Sequence, residues 1–218
     1  MRQIVAVVSC GLLVSSITVA QGLTEAQIVE ALRGKVQATT PPPEVKRIET
    51  VAQFTLRVRG RQTCSFEGTL IQEAGRRELE ARDLPAECAQ FREHVGTIFA
   101  TAAQLSGMFL GNYAYELTGE RLIGGDRQYQ IRATARDPQE NLRQIWVWIS
   151  WETGLIRDGV LSIRTPAVDP ITIVQTYYQE SGRWLLKSVR SRTVARILLV
   201  IRIGIEVDID VKSHRYVF

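Results

Sequence analysis

The side chains that could carry out acid–base or nucleophilic chemistry are few in this sequence, and they are not grouped. Its two histidines, His94 and His214, lie far from any pattern of cysteines or carboxylates. The sequence also lacks the spacing of a zinc site, of a nucleophile elbow and of a phosphate-binding loop. Gly124-Gly125-Asp126 is followed by a strand pattern instead of a helix, and therefore predicts a hairpin turn. We expect a protein that is not an enzyme and that holds no cofactor.

Three carboxylates near the C-terminus have a spacing that could bind a hard cation. Glu206, Asp208 and Asp210 alternate with apolar residues, so their side chains point to one face of a predicted strand. Carboxylate oxygens are the ligands that Ca²⁺ and Mg²⁺ prefer. A charged strand face whose acidic groups pair with arginines on neighbouring strands explains the same spacing, and we favour it. We therefore expect no metal site.

The N-terminus has the pattern of an export signal. A short basic start leads into an apolar run from Ile4 to Val14, and Thr18-Val19-Ala20 then resembles a small-x-small cleavage site. The apolar run is shorter than the roughly 20 residues that a membrane helix needs. We expect a signal peptide at residues 1–20 and a single exported domain at 21–218, located in a bacterial periplasm.

The cysteines bear on both export and stability. Cleavage after Ala20 leaves Cys64 and Cys88, an even pair that predicts one disulfide in an oxidising compartment. Two separate buried thiols are the alternative. Cys10 follows Val7-Val8-Ser9, a loose match to the lipidation motif of bacterial lipoproteins, so a lipid anchor at Cys10 is a second interpretation. We favour simple cleavage, because the apolar run continues beyond Cys10.

The charge pattern argues against a nucleic-acid partner. Lys and Arg number 27 against 23 Asp and Glu, which gives a formal net charge of +4. The arginines are scattered along the chain, whereas a surface that grips nucleic acid gathers them on one element.

Two segments have the apolar spacing of amphipathic helices. The first begins at the capping-box pair Thr24 and Gln27, and its apolar stripe consists of Ile28, Leu32 and Val36. The second is predicted from Ala86 to Leu105, and its stripe consists of Phe91, Val95, Ile98, Phe99 and Ala102. Met108-Phe109-Leu110, bracketed by glycines, then predicts a mobile apolar loop, with a plain packed turn as the alternative.

Most of the remaining sequence alternates with the period of two that is typical of strands. Phe54, Leu56 and Val58 alternate with polar residues, and so do the isoleucines and valines from Ile201 to Val211. Turn signals recur about every ten residues, which is typical of one antiparallel sheet. Long strands make such a sheet curl. We therefore predict an α+β fold: a strongly curved, open and incomplete antiparallel barrel with amphipathic helices on its concave face.

One predicted strand is apolar on both of its faces. The segment RQIWVWISWETGLI, residues 143–156, holds three of the four tryptophans. Trp146 and Trp148 share one face, and Ile145, Val147 and Ile149 fill the other. An antiparallel strand with one wet side should be polar on that side. We expect the face that carries Trp146 and Trp148 to be the one on the concave side of the sheet.

The middle of the chain resembles a known superfamily of envelope proteins. The segments that carry the resemblance are Tyr115-Glu116-Leu117, Ile123 to Ile131, Ile145 to Ile149, Glu152-Thr153-Gly154-Leu155-Ile156 and Gly182-Arg183-Trp184-Leu185. In this order they are similar to the outer-membrane lipoprotein carrier superfamily, of which LolA-, LolB- and RseB-like proteins are the members. Ser150 or Trp151 stands where that superfamily usually has an aspartate.

The resemblance implies an incomplete barrel whose apolar cavity, lidded by helices, binds the acyl chains of a lipid or lipoprotein without catalysis. The cavity candidates on this interpretation are Phe54, Leu56, Phe91, Ile98, Phe99, Trp146 and Trp148, and the lid candidates are Met108, Phe109 and Leu110. Two alternatives use the same fold. One is a sensor or scaffold that acts by contact with an envelope membrane protein, and the other is an envelope lipoprotein anchored through Cys10.

Overall fold

The computed structural model describes residues 23–38, 45–73, 76–81, 83–89, 113–140, 142–164, 168–180, 182–197 and 201–218. Within these ranges the chain forms two helices and ten strands. The helices are α1 (Glu25–Ala38) and α2 (Ala86–Ala89). The strands are β1 (Arg47–Val58), β2 (Arg61–Glu73), β3 (Arg76–Glu80), β4 (Tyr113–Ile123), β5 (Asp126–Ala135), β6 (Leu142–Ser150), β7 (Ile156–Ile163), β8 (Ile171–Glu180), β9 (Arg183–Ile197) and β10 (Ile201–Val217).

All ten strands lie in one sheet, and every neighbouring pair is antiparallel. Their order is β3-β2-β1-β10-β9-β8-β7-β6-β5-β4, so β3 and β4 are the two edges and the sheet is not closed into a barrel. The open antiparallel sheet predicted from the turn spacing is confirmed. Of the second helix predicted from Ala86 to Leu105, the described part is α2, and residues 90–112 lie outside the described residues.

The alternation of apolar and polar residues gives the sheet two different faces. The inner face, as we call it, carries the buried side chains of the core. It includes Phe54 on β1, Ile131 on β5, Val147 on β6 and Ile209 on β10. Because side chains alternate along a strand, the polar residues between them point to the opposite, outer face. The predicted dry face of the last strand is therefore confirmed at Val207 and Ile209, which are both buried.

Two of the three acidic residues of β10, Glu206 and Asp208, are paired with arginines on the outer face. Asp208 accepts hydrogen bonds from Arg57 on β1 and from Arg190 on β9, the latter at 2.9 Å. Glu206 lies 3.4 Å from Arg192. Among the described residues, no group of three His, Cys, Asp or Glu side chains is arranged to hold a metal ion. The interpretation of Glu206 and Asp208 as a charged face with arginine partners is thus confirmed.

Helix α1 forms where the capping signal places it and packs its apolar stripe onto the inner face. The Thr24 backbone N–H donates to Gln27 Oε1 at 2.8 Å, and the Gln27 N–H donates to Thr24 Oγ1 at 3.4 Å. This is the reciprocal capping box that the sequence predicts. Ile28, Leu32 and Val36 are buried in the core. The helix lies next to β4, at one edge of the sheet.

The last turn of α1 rests on the turn between β6 and β7. The Lys35 ammonium donates to the Trp151 carbonyl oxygen and lies 4.5 Å from the centroid of the Trp151 ring. Gly154 has a φ of 71°, a conformation that costs other residues strain. A Cβ atom at Gly154 would also lie 2.7 Å from the backbone carbon of Lys35. Only glycine therefore lets the helix and this turn approach so closely.

This contact gives a first prediction. Gly154→Ala should lower the free energy of unfolding by about 3 kcal/mol, because it combines backbone strain with a collision against the backbone of α1. Gly182→Ala is the matched control: Gly182 has a φ of 77°, but no atom lies within 4 Å of its would-be Cβ. Gly182→Ala should lower the free energy of unfolding by about 1 kcal/mol, through backbone strain alone. Urea denaturation measures both, and equal losses would contradict the proposed helix contact.

Candidate functional site

The inner face has an apolar patch centred on β1 and its two neighbouring strands. Phe54 lies between Ile209 on β10 and Phe66 on β2, and Leu56 lies between Val207 and Cys64 in the same way. The rings of Phe54 and Phe66 stack with their centroids 5.1 Å apart and their planes 18° from parallel. We call these six residues the apolar patch. Each of them is buried, and none carries a charge.

A glycine next to the apolar patch leaves room for the phenylalanine stack. Gly68 is the residue of β2 that pairs with Ala52. A Cβ atom at this position would lie 3.3 Å from the Phe54 ring and 3.0 Å from the Glu80 carbonyl oxygen. The small residue therefore lets the edge strand β3 and the aromatic ring pack closely together.

A disulfide joins the apolar patch to α2. Cys64 on β2 is bonded to Cys88, and their Cα atoms are 5.3 Å apart. This confirms the disulfide predicted from the sequence. Cys88 is completely buried, although α2 itself has four residues. The bond therefore fixes the chain beside the apolar patch at the point where residues 90–112 follow.

The disulfide gives a second prediction. The double variant Cys64→Ala/Cys88→Ala should lose about 3 kcal/mol of unfolding free energy, as expected for a closed loop of this length. The alanines avoid leaving a free thiol in the core. Denaturation of the oxidised wild type, the reduced wild type and the variant provides the comparison. Two titratable thiols in the native, unreduced protein would contradict the bond.

The described helices are small compared with the face they cover. Ten strands spaced as in a flat sheet would span roughly 43 Å. A helix of 14 residues is about 21 Å long and about 10 Å across. Helix α1 lies at the β4 edge, several strands away from Phe54. Of the described helices, α2 lies beside the apolar patch, where it packs on β2 and Cys88 is bonded to Cys64.

The sheet separates at one end between β9 and β10. Their pairing stops at Ser188 and Asp210, whereas β10 continues along β1 to Val217 and β9 continues along β8 to Arg183. Each of the two diverging strands carries an extra residue next to the separation, Lys187 in β9 and Lys212 in β10. Such bulges bend and twist a strand, which explains the divergence.

A histidine bridges this separation on the inner side. The carbonyl oxygen of Leu186 on β9 lies 2.9 Å from Nε2 of His214, and because a carbonyl only accepts, Nε2 carries the proton. Nδ1 lies 3.1 Å from the Thr50 hydroxyl. In the neutral imidazole this nitrogen accepts the hydroxyl proton. Thr50 is buried, so the histidine satisfies a polar group that has no access to water.

A second polar pair lies on β8, close to the same separation. The Tyr177 hydroxyl donates to Gln175 Oε1 at 2.6 Å, and Gln175 is buried. Burial raises the pKa of Tyr177 well above its ordinary value, and the nearby Arg157 opposes that rise. The phenol is therefore a neutral donor at any physiological pH. Together with His214, these groups form a polar border to the otherwise apolar inner face.

The bridge gives a third prediction. His214→Phe and Thr50→Val should each lower the free energy of unfolding by about 1–3 kcal/mol, because each leaves a buried polar partner without its hydrogen bond. The double variant lacks both the hydroxyl and the imidazole. Its loss of unfolding free energy should therefore be about 1 kcal/mol smaller than the sum of the two single losses. Denaturation of all four proteins measures this coupling. Strictly additive losses would show that the two side chains do not interact.

The structure corrects the expected orientation of the tryptophan strand. Ile145, Val147 and Ile149 are completely buried on the inner face, and Trp146 and Trp148 lie on the outer face. The expectation that the tryptophans face the covered side, and so line a cavity with Phe54 and Leu56, is therefore wrong. The aliphatic side chains have no polar atom to satisfy, whereas an indole can keep its N–H near water.

Trp148 is covered on the outer face by charged groups. The Arg121 guanidinium lies 4.1 Å from the centroid of the Trp148 ring and forms an ion pair with Asp158 on β7. A Cβ atom at Gly119 would lie 3.3 Å from the same ring. Gly119 thus leaves space for the Trp148 ring on the outer face, and Arg121 stacks on that ring. Arg121 and Asp158 were not predicted from the sequence, because their only signal is their position on strands that neighbour the tryptophan strand or follow it.

Six of the predicted site residues lie outside the described residues. They are Phe91, Ile98, Phe99, Met108, Phe109 and Leu110. Of the predicted cavity residues, the structure brings together Phe54 and Leu56. Among the described helices, neither is long and apolar enough to cross a membrane.

Comparison with solved structures finds a protein of similar architecture. A DUF1329 family protein from Desulfovibrio piger superposes with a TM-score of 0.55 and 16% sequence identity, over 86% of this chain and 92% of that protein. This chain shares its fold. No protein-family model matches the sequence, and no curated protein matches it significantly.

Two further solved structures are similar to this chain at lower TM-scores. A LolA superfamily protein from Nitrosomonas europaea has a TM-score of 0.49 and 9% identity, over 90% of this chain and 95% of its own. A putative outer membrane lipoprotein-sorting protein domain from Vibrio parahaemolyticus has a TM-score of 0.48 and 8% identity, over 88% of this chain and 92% of its own.

Proposed function

We propose that this protein is a periplasmic carrier or chaperone that shelters the acyl chains of a lipid or lipoprotein against its inner face. Export after residue 20 would deliver residues 21–218 to the periplasm as one domain. The observation that carries the proposal is the uncharged apolar patch around Phe54 and Leu56 on the inner face, beside the disulfide between Cys64 and Cys88. The sequence motifs shared with the lipoprotein carrier superfamily support the same function.

The physical basis is the transfer of hydrocarbon from water to the apolar patch. Each methylene that leaves water contributes about 0.8 kcal/mol. An acyl chain of ordinary length would therefore contribute on the order of 10 kcal/mol before the cost of ordering it. His214 and Tyr177 are the polar side chains near the separation of β9 and β10. Both already have hydrogen-bond partners. They would not oppose a hydrocarbon by exposing unsatisfied donors.

The disulfide holds helix α2 beside the apolar patch. Because Cys88 is bonded to Cys64, this attachment would persist when a hydrocarbon contacts the patch. No chemical step is required of the protein in this function.

The proposal predicts where a lipid makes contact. Delipidated protein incubated with a photoreactive fatty acid should be labelled, and mass spectrometry of the fragments should place label on Phe54, Leu56 or Phe66. Excess palmitate should compete for the label. Absence of competable labelling, or labelling confined to the outer-face residues Trp146 and Trp148, would contradict the proposal.

A pair of variants separates binding at the inner face from adsorption elsewhere. Leu56→Asp places a carboxylate in the apolar patch and should lower fatty-acid affinity at least about tenfold, because a buried unpaired charge is strongly disfavoured. Trp146→Asp makes the same change on the outer face of β6 and should leave the affinity unchanged. If Leu56→Asp does not fold, Leu56→Asn provides a milder test, and circular dichroism checks the fold of each variant.

A sensor or scaffold on the same fold is the second candidate. The observation in its favour is that the apolar patch is buried, with Phe54 only 1% exposed. A protein of this kind would bind an envelope membrane protein by surface contact and would take up no fatty acid. Failure of the labelling experiment together with specific capture of a membrane protein would favour it. The mass of the mature N-terminus would decide whether Cys10 carries a lipid anchor.

A further inference from the structure

The separation between β9 and β10 opens beside the apolar patch. It is bounded by residues 183–187 of β9 and 211–217 of β10, all of which the structure describes. Each of these segments keeps its ladder with the strand on its other side, β8 or β1. Ile209 of the apolar patch precedes Val211, where the separation starts, by two residues, or about 7 Å along a strand. A hydrocarbon chain lying on the patch can therefore extend to this opening.

The backbones on the two sides of the separation lie further apart than those of paired strands. Paired strands are about 4.8 Å apart and exchange backbone hydrogen bonds directly. Here the imidazole of His214 on β10 reaches the Leu186 carbonyl oxygen on β9, so a side chain takes the place of a ladder hydrogen bond. The hydroxyls of Thr50 and Tyr177 are further neutral polar groups beside it. The described strands thus leave a polar gap in the sheet.

The two segments that bound the separation carry positive charge and no carboxylate. Neither 183–187 nor 211–217 contains an aspartate or a glutamate, although the whole chain is nearly balanced, with 27 Lys and Arg against 23 Asp and Glu. Their cationic side chains are Arg183, Lys187, Lys212 and Arg215. Like charges gathered in this way make the local electrostatic potential positive.

Two of these four cations have no ion-pair partner among the described residues. Lys212 and Arg215 pair with glutamates of β2 and β1. Arg183 and Lys187 are exposed and pair with no carboxylate of the described chain. Glu180 lies opposite Arg183 in the β8–β9 ladder but forms no ion pair with it. The charges of Arg183 and Lys187 are therefore available to a ligand.

The charge of Arg183 acts across the separation. Burial raises the pKa of Tyr216 on β10, and the positive charge of Arg183 on β9 opposes that rise. Tyr216 belongs to the ladder with β1, where it lies opposite Ile48, and not to any ladder with β9. The guanidinium is thus near enough to influence a group on the far side of the gap.

We propose that the separation binds the anionic headgroup of an amphiphile, a carboxylate or a phosphate, while the acyl chain lies on the apolar patch. This inference rests on the proposed function and names its substrate class, an amphiphile with a negatively charged head. Arg183 and Lys187 attract the negative charge, and hydrogen bonds between ionised groups are stronger than those between neutral ones. An uncharged amphiphile would make the same contact with the patch but would gain nothing from these two cations.

Isothermal titration calorimetry of the delipidated, folded protein tests the proposal with ligands that share one acyl chain. Myristate carries a carboxylate, myristoyl lysophosphatidylglycerol carries a phosphate, and monomyristin is uncharged. At low salt and below micelle-forming concentrations, wild type should bind the two anionic ligands about tenfold more tightly than monomyristin, because two exposed ion pairs contribute on this order. High salt should reduce the difference by screening. Tighter binding of only one anionic ligand would support the site and identify its headgroup.

A matched pair of double variants assigns the effect to the separation. Arg183→Gln/Lys187→Gln should weaken binding of the anionic ligands about tenfold and leave the affinity for monomyristin unchanged. Arg61→Gln/Arg202→Gln removes two other exposed arginines that lack ion pairs in the described chain, at the opposite end of the sheet. This control should bind all three ligands like wild type. Urea denaturation checks that both variants are folded.

The results distinguish failure of the headgroup site from failure of the proposed function. Equal affinity of wild type for charged and uncharged ligands would overturn the headgroup site and leave hydrocarbon binding in place. Equal losses of anionic affinity in the two double variants would also overturn the headgroup site. Binding of none of the three ligands would overturn the proposed function and the headgroup site together.

Discussion

The constraint on which this structure depends is that a wide apolar sheet face has to be kept from water along its whole width. Each exposed square ångström of that face would cost about 25 cal/mol, so an uncovered region the size of the apolar patch could not persist in a folded protein. Helix α1 meets the constraint at the β4 edge, where Gly154 lets its last turn approach the β6–β7 turn. In the other half of the sheet, the inner face is buried beside the disulfide between Cys64 and Cys88. On the proposed function, the β1–β2–β10 region beside that disulfide is where an acyl chain would lie.

The outer face is stabilised by a different principle. Its carboxylates and arginines pair across strands, as Asp208 does with Arg57 and Arg190, and they remain close to water. Such exposed pairs contribute little to stability, typically less than about 1 kcal/mol each. Their importance is that they keep one face of an open sheet polar. On the proposed function, a hydrocarbon would therefore bind at the inner face and not at this charged one.

Local patterns in the sequence were sufficient for much of the fold. The period of two in β10, the capping box at Thr24 and the even pair of cysteines each act over short distances or by simple counting, and all three were confirmed. The orientation of β6 was not predictable in this way, because it is apolar on both faces and periodicity cannot choose between them. The choice depends on Arg121 and Asp158, which come from other strands. The His214 bridge was missed for the same reason, since it requires two bulges that separate β9 from β10.

Native mass spectrometry of the protein purified from its own periplasm tests whether the inner face takes up hydrocarbon. We expect a polypeptide that begins near Gln21, carries one disulfide and retains a bound mass equal to that of a phospholipid or fatty acid. Collisional activation should release that mass without breaking a covalent bond. A mature protein that shows only the mass of its oxidised polypeptide, and that gains no adduct after incubation with lipid, would rule out hydrocarbon binding at the inner face.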